Sequence, residues 1–128
     1  MFTSIRTRAA ALSGVVLAVG LGVAVSAAPA YAAKSDCPAG ALCAYSQYDF
    51  AGTPGKVYQD NTDLTPYSSF RNVKSVYNHG NSCDVTIYTG TNYTGNRMTI
   101  ERGDAYSFGS GSTFVQNGIK SNKWGNCV

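Results

Sequence analysis

The 128-residue chain has one histidine, one tryptophan and two methionines, and only 13% of its residues are charged. With His79 as the sole imidazole, a zinc centre or a histidine-activated nucleophile has no obvious partner set. The four cysteines do not fill the gap, because a Cys-x5-Cys pair and two distant cysteines are not at zinc-ligand spacing. Glutamate occurs only at Glu101, and beyond residue 32 leucine occurs only at Leu42 and Leu64. No ten-residue stretch there carries an apolar stripe at helical spacing, so a helical bundle is excluded.

A run of one charge sign is also missing. Lys34, Lys56, Arg71, Lys74, Arg97, Arg102, Lys120 and Lys123 are scattered, whereas binding to nucleic acid or an anionic membrane needs clustered cations that release counterions. The one long apolar run is at the start: Arg6 and Arg8 precede an apolar stretch from Ala9 to about Ala28, followed by Ala30-Tyr31-Ala32. That order reads as a secretory signal peptide over residues 1–32 with an Ala-x-Ala cleavage site. An uncleaved anchor is the alternative, but the stretch is rich in Gly and Ala and the processing site fits. Without Arg6 and Arg8, eight basic residues face seven acidic ones, and the net charge of +3 falls to +1. The expected product is a single secreted, extracellular domain over 33–128, with no nucleic-acid partner and no membrane contact after cleavage.

The seven carboxylates, Asp36, Asp49, Asp60, Asp63, Asp84, Glu101 and Asp104, fall in no motif that pairs two across a scissile bond. No catalytic residue is assigned, and the chain reads as a non-enzyme. Cys37, Cys43, Cys83 and Cys127 all lie in the exported part, where an even number in a small chain signals two disulfides. Of the three connectivities, Cys37–Cys43 with Cys83–Cys127 is favoured because it gives each half its own bridge. Loop closure would then stabilise by roughly 2.4 and 4 kcal/mol in the chain-entropy model.

What the mature region does have is glycine, asparagine and tyrosine, with short apolar runs broken by turn residues every eight to twelve positions. That pattern predicts an all-β fold. Strands are expected at 42–45, 56–59, 74–78, 85–88, 97–101 and 120–124. Turns are expected at Thr53-Pro54-Gly55, His79-Gly80-Asn81 and Gly109-Ser110-Gly111.

Sliding the chain on itself uncovers a repeat. Tyr45, Phe50 and Gly52 match Tyr88, Tyr93 and Gly95 at an offset of 43 residues, and Val57 and Ile100 keep the register. Each copy later reaches a related segment, Phe70-Arg71-Asn72-Val73-Lys74-Ser75 or Phe114 to Ser121, with the offset grown to 46. If the chain folds back after the first aromatic, the second packs beside it and glycine supplies the positive φ of the bend.

This repeat resembles the Greek-key motif of βγ-crystallins, in which two four-stranded motifs intercalate into a two-sheet sandwich. The resemblance implies motif one over about 37–80 and motif two over about 81–128. The opening Cys37-Pro38-Ala39-Gly40-Ala41-Leu42-Cys43-Ala44-Tyr45 is similar to the start of the actinobacterial secreted metalloproteinase inhibitors, peptidase inhibitor family thirty-six, which use a crystallin-like fold. It implies a monomeric inhibitor of an extracellular peptidase, acting by steric occupation of the cleft. The second half has no short loop bracketed by two cysteines, so no inhibitory contact is assigned to a residue. The loops after Gly52, Gly90 and Gly109 are the places to look.

Crystallin modules also bind calcium through a segment of paired Asn/Asp and Ser/Thr oxygens. In phase, this chain offers Asn72 with Ser75 and Asn117 with Ser121, each an amide and a hydroxyl without a carboxylate. Arg71 stands where the pattern has an acidic or amide residue and would repel the ion. The competing expectation is that Ser75 and Ser121 hydrogen-bond the folded hairpin. The other reading of the whole chain is a calcium-binding or cell-wall-associated crystallin module without a peptidase target. For that reading Tyr48, Tyr58, Tyr67, Tyr77, Tyr106 and Trp124 are the candidate surface rings, although a half-buried position is expected for each. His79 is expected as a solvated turn histidine.

Overall fold

A computed structural model describes residues 34–128. The leader expected over residues 1–32 lies outside the described residues. In chain order the elements are β1 (Leu42–Tyr45), β2 (Gly55–Val57), α1 (Ser68–Arg71), β3 (Ser75–Asn78), β4 (Asp84–Tyr88), β5 (Arg97–Ile100), β6 (Ala105–Ser107), α2 (Thr113–Asn117) and β7 (Ser121–Gly125), with a 3-10 turn at Tyr48–Phe50. The protein is mostly β, as its composition predicts.

Two antiparallel sheets form. One has the order β2-β1-β3-β6 and the other β5-β4-β7. In the first, Leu42 stands opposite Val57 on one side and Asn78 on the other. In the second, Thr86 stands opposite Thr99 and Lys123. The halves exchange their third segments: β6, late in the chain, pairs with β3 through Val76 and Tyr106, while Asn61 bridges Asn122 on the open side of β7. This exchange makes one folding unit of two repeats, since neither half can complete its sheet alone.

The inner faces share one core. Leu42 and Ala44 of β1, Val76 of β3, Val85 and Ile87 of β4 and Ile100 of β5 meet Leu64, Phe70, Val73, Phe114 and Ile119 from the connections. Alternation places Cys43 and Tyr45 on the opposite face of β1, where they join Cys37 and Ala41 in a second cluster flanked by Phe50 and Tyr77. Both expected disulfides are present, Cys37–Cys43 and Cys83–Cys127.

The expected strands lie within two residues of those observed, but three elements were not foreseen. The strand β6 is only Ala-Tyr-Ser and has no buried position to give it an alternating pattern. The helices α1 and α2 span four and five residues, too short to carry a stripe, and each buries one phenylalanine, Phe70 or Phe114. Only α2 has a side-chain cap, Ser112 Oγ accepting from the Phe114 N–H at 3.2 Å.

Candidate functional site

The repeat builds the same clamp twice. Asp49 and Phe50 in the first copy and Asn92 and Tyr93 in the second all have φ between 55° and 63°, followed by Gly52 at 83° and Gly95 at 84°. Left-handed backbone at a non-glycine residue costs on the order of 1–3 kcal/mol, so something must hold it. A buried serine does. The Phe50 N–H donates to Ser75 Oγ at 3.0 Å, and that hydroxyl donates to the Gln47 carbonyl at 2.7 Å. The Tyr93 N–H donates to Ser121 Oγ at 3.0 Å, and Ser121 donates to the Gly90 carbonyl at 2.6 Å. The aromatic pairs Tyr45–Phe50 and Tyr88–Tyr93 each close at 5.6 Å between ring centres. Burial, aided by the Asp36 carboxylate and the Tyr77 ring, pushes the Tyr45 phenol up to about 12.

Both clamps lie at one end of the sandwich. At the other end the chain passes between motifs and between sheets, around Asn78. This fully buried amide donates through Nδ2 to the carbonyls of Cys83 and Ile100 and accepts the Gly80 N–H. Its own N–H and carbonyl bind Asp104 and Gly103. Asn122, second in β7, is the other fully buried amide, with Nδ2 donating to the Gln59 carbonyl and Oδ1 accepting from Asn61. Sequence reasoning did not single out either asparagine. For Asn78 the only available signal was an amide at the end of an apolar strand, where a buried polar group must serve several partners, and Asn122 in a polar strand gave none.

The three glycine-marked loops differ. After Gly52 the chain turns inward at once, with Pro54 buried. After Gly109 it is exposed and loosely held, by one turn bond from the Ser112 N–H to the Gly109 carbonyl. The hairpin 90–96 is exposed at Asn92 and from Thr94 to Asn96, yet bonded along its length. There the Gly90 N–H donates to Thr94, the Asn92 N–H to Thr62 and the Thr89 N–H to Asn96, all to carbonyls. Thr94 Oγ1 donates to the Thr91 carbonyl, and the Asn96 N–H to Thr89 Oγ1. A side chain at Gly95 would come within 2.5 Å of Thr89 Oγ1.

The calcium candidates divide into separate roles. Asn72 and Asn117 are exposed and donate to the Ser68 and Thr113 carbonyls, each at 3.0 Å, at the ends of α1 and α2. Ser75 and Ser121 are buried in the clamps. Neither segment brings a carboxylate, and among the described residues no three His, Cys, Asp or Glu side chains gather as a metal cluster. This donor set does not fit a tight calcium site, because hard cations take their affinity from charged oxygens.

Two expectations need correction. His79 is half-buried, not solvated: Nδ1 donates to the Cys37 carbonyl at 2.7 Å and the ring stacks on Tyr77 at 5.1 Å. Four of the six candidate rings, Tyr48, Tyr58, Tyr67 and Tyr106, are exposed and not half-buried, Tyr58 most of all at 55%. They stand on short edges and turns, where no second layer covers them.

The two-sheet sandwich with its paired serine clamps defines a βγ-crystallin-type module. It is similar to a crystallin domain described under the evolution of the eye-lens βγ-crystallin fold (22% identity, TM-score 0.58, covering 70% of this chain and 89% of that one). It is also similar to IPSE/alpha-1 from Schistosoma mansoni eggs (24% identity, TM-score 0.55, covering 66% and 82%) and to a βγ-crystallin from Ciona intestinalis (15% identity, TM-score 0.53, covering 67% and 100%). At such identities the likeness shows the fold alone. The model of peptidase inhibitor family I36 matches residues 30–100, more than half of the chain, and the chain belongs to that family. No curated protein sequence matches it. Family and fold together mark a non-enzymatic protein whose partner is a peptidase.

Proposed function

We propose that the protein is a secreted, monomeric inhibitor of an extracellular metallopeptidase, and that it works by steric occupation of the active-site cleft. The observation that carries the mechanism is the hairpin 90–96, exposed at its tip and bonded to its own strand, to Thr62 and to Ser121. A loop already fixed in one shape loses little conformational entropy on docking, so more of its contact energy appears as affinity. Resistance to cleavage follows from the same property, because a segment held at many points cannot open into an extended substrate. The two disulfides suit an oxidising, protease-rich exterior.

The test is a titration of a thermolysin-like zinc peptidase with mature protein, residues 33–128, following residual activity on a small substrate. Stoichiometric loss of activity with the inhibitor intact is expected, and Asn96→Arg, on the exposed closing arm of the hairpin, should weaken inhibition at least tenfold without changing the melting temperature. Full residual activity, or digestion of the protein, would overturn the proposal. Loss of activity in a serine peptidase but not in the zinc enzyme would overturn the metallopeptidase assignment.

A further inference from the structure

At the end away from the hairpin, a cleft of about 340 Å³ opens between the disulfide loop, the segment after β2, the inter-motif link and β7. Two rings wall it, Tyr58 and Trp124, and Asp60, Gln59 and Asn81 add polar groups. Two glycines keep it open. A Cβ on Gly80 would sit 2.8 Å from the Trp124 ring and 2.8 Å from Asn78 Oδ1, and one on Gly40 would sit 3.3 Å from Asn81 Nδ2. The backbone beneath the rings is fixed: Asp60 Oδ1 accepts the Trp124 backbone N–H at 2.8 Å, and Tyr58 follows β2 directly. The Trp124 indole N–H is buried without an acceptor, alone in this among the buried side-chain polar atoms of the described residues.

We propose that this cleft binds one neutral pyranose ring of a polysaccharide. The electron-rich face of an aromatic ring attracts the weakly positive C–H face of a sugar, and Tyr58 and Trp124 provide two such faces. Amide and carboxylate side chains at the rim match the donor and acceptor hydroxyls that a sugar carries around its edge. Asp60 is the only charged side chain lining the cleft, so an anion finds no cation there and is repelled. The volume is at the low end of the roughly 300–1,000 Å³ range of small-molecule pockets, which suits a ring and not an extended peptide. The cleft and the inhibitory hairpin lie at opposite ends of β4, about 13 Å apart along the strand at 3.3 Å per residue. The protein could therefore hold a cell-surface glycan and a peptidase together.

Trp124 is the only tryptophan in the chain, so its emission reports on this site alone. Mature protein is titrated with a trimer of β-linked N-acetylglucosamine and separately with cellotriose, by fluorescence and calorimetry in parallel. A saturable change with either trimer is expected, with a dissociation constant of roughly 1 mM. Tyr58→Ala should weaken it at least tenfold and Asn81→Ala several-fold, with peptidase inhibition unchanged in both. No heat and no emission change up to about 20 mM of either trimer would overturn the proposal, since a 1 mM site would by then be saturated. Binding that survives Tyr58→Ala at full strength would overturn it equally. Gly80→Ala should close the cleft, and Tyr58→Ala keeps the test decisive if that variant fails to fold.

Discussion

The two Greek keys use the same clamp in different surroundings. In the first, all four residues of β1 are buried, because the shared core covers one face and the Cys37–Cys43 cluster covers the other. In the second, β4 buries only Val85 and Ile87, and Asp84, Thr86 and Tyr88 remain partly in solvent. Tyr45 is fully buried against Phe50 edge-on at 82°, whereas Tyr88 meets Tyr93 at a tilt of 55° on a half-open surface. The difference lies in the strands and not in the hairpins: Ser46–Asp49 of the first copy are exposed, as are Asn92 and Thr94–Asn96 of the second, but only the first copy's strand is covered on both faces.

The strongest test of this comparison is to delete the same ring from each copy. Tyr45→Ala leaves a large cavity in a closed cluster and should cost about 4 kcal/mol, as for other buried aromatics. Tyr88→Ala, with solvent on one side, should cost less than half of that, about 1–2 kcal/mol. Urea unfolding of the two variants decides it. Equal losses would show that the copies share the stability evenly.

Alkaline titration probes the same asymmetry without a cavity. The Tyr45 phenol rises from an ordinary value near 10 to about 12 in the folded protein, so between those values the unfolded chain releases a proton that the folded chain keeps. The stabilisation is complete below pH 10 and is lost as pH climbs toward 12, a fall of about 2–3 kcal/mol. Tyr45→Phe should flatten that part of the pH–stability curve, and an unchanged curve would show that another group carries the loss.

The clamp serines should, by contrast, behave alike. Ser75→Ala strands the Phe50 N–H and the Gln47 carbonyl, and Ser121→Ala strands the Tyr93 N–H and the Gly90 carbonyl. Each should cost about 1–3 kcal/mol, the penalty for leaving buried polar groups unmet. They should part in function, since Ser121→Ala loosens the proposed inhibitory hairpin and should weaken inhibition, while Ser75→Ala should not.

That contrast also separates what was legible in the sequence from what was not. Tyr45, Phe50 and Gly52 with their copies at 43 residues are a local pattern, so the repeat could be read directly, and its resemblance to the βγ-crystallin motif implied the two-motif fold. The even cysteine count implied two disulfides, and giving each half its own bridge selected the observed pairing. Legibility failed where an element takes its meaning from a distant partner. The strand β6 has no internal alternation and exists because β3 offers an edge, and Asn78 gathers bonds from Gly80, Cys83, Ile100, Gly103 and Asp104. The cleft is of the same kind, since Tyr58, Asn81 and Trp124 meet only once the sheets have exchanged their third segments.

The smallest effect expected is that of calcium. A ligand that prefers the folded state raises stability by RT ln(1 + [L]/Kd), so a carboxylate-free site with a dissociation constant near 10 mM would add only about 0.4 kcal/mol in 10 mM Ca²⁺. The melting temperature of the mature protein should therefore move by no more than about 2 °C. A larger rise would show that Asn117 and Ser121, or Asn72 and Ser75, coordinate the ion despite their hydrogen bonds. The two copies differ in how they would accept the missing charge. Arg71 is exposed, so Arg71→Asp can place a carboxylate beside Asn72. In the second copy Asn117 already stands in phase with Arg71, and the position without an oxygen is Gly118, in phase with Asn72, at φ 81° and with a Cβ that would lie 2.6 Å from the Arg71 carbonyl oxygen, so Gly118→Asp collides with backbone. Calcium-dependent stabilisation should accordingly appear in Arg71→Asp, while Gly118→Asp is destabilised with or without the ion.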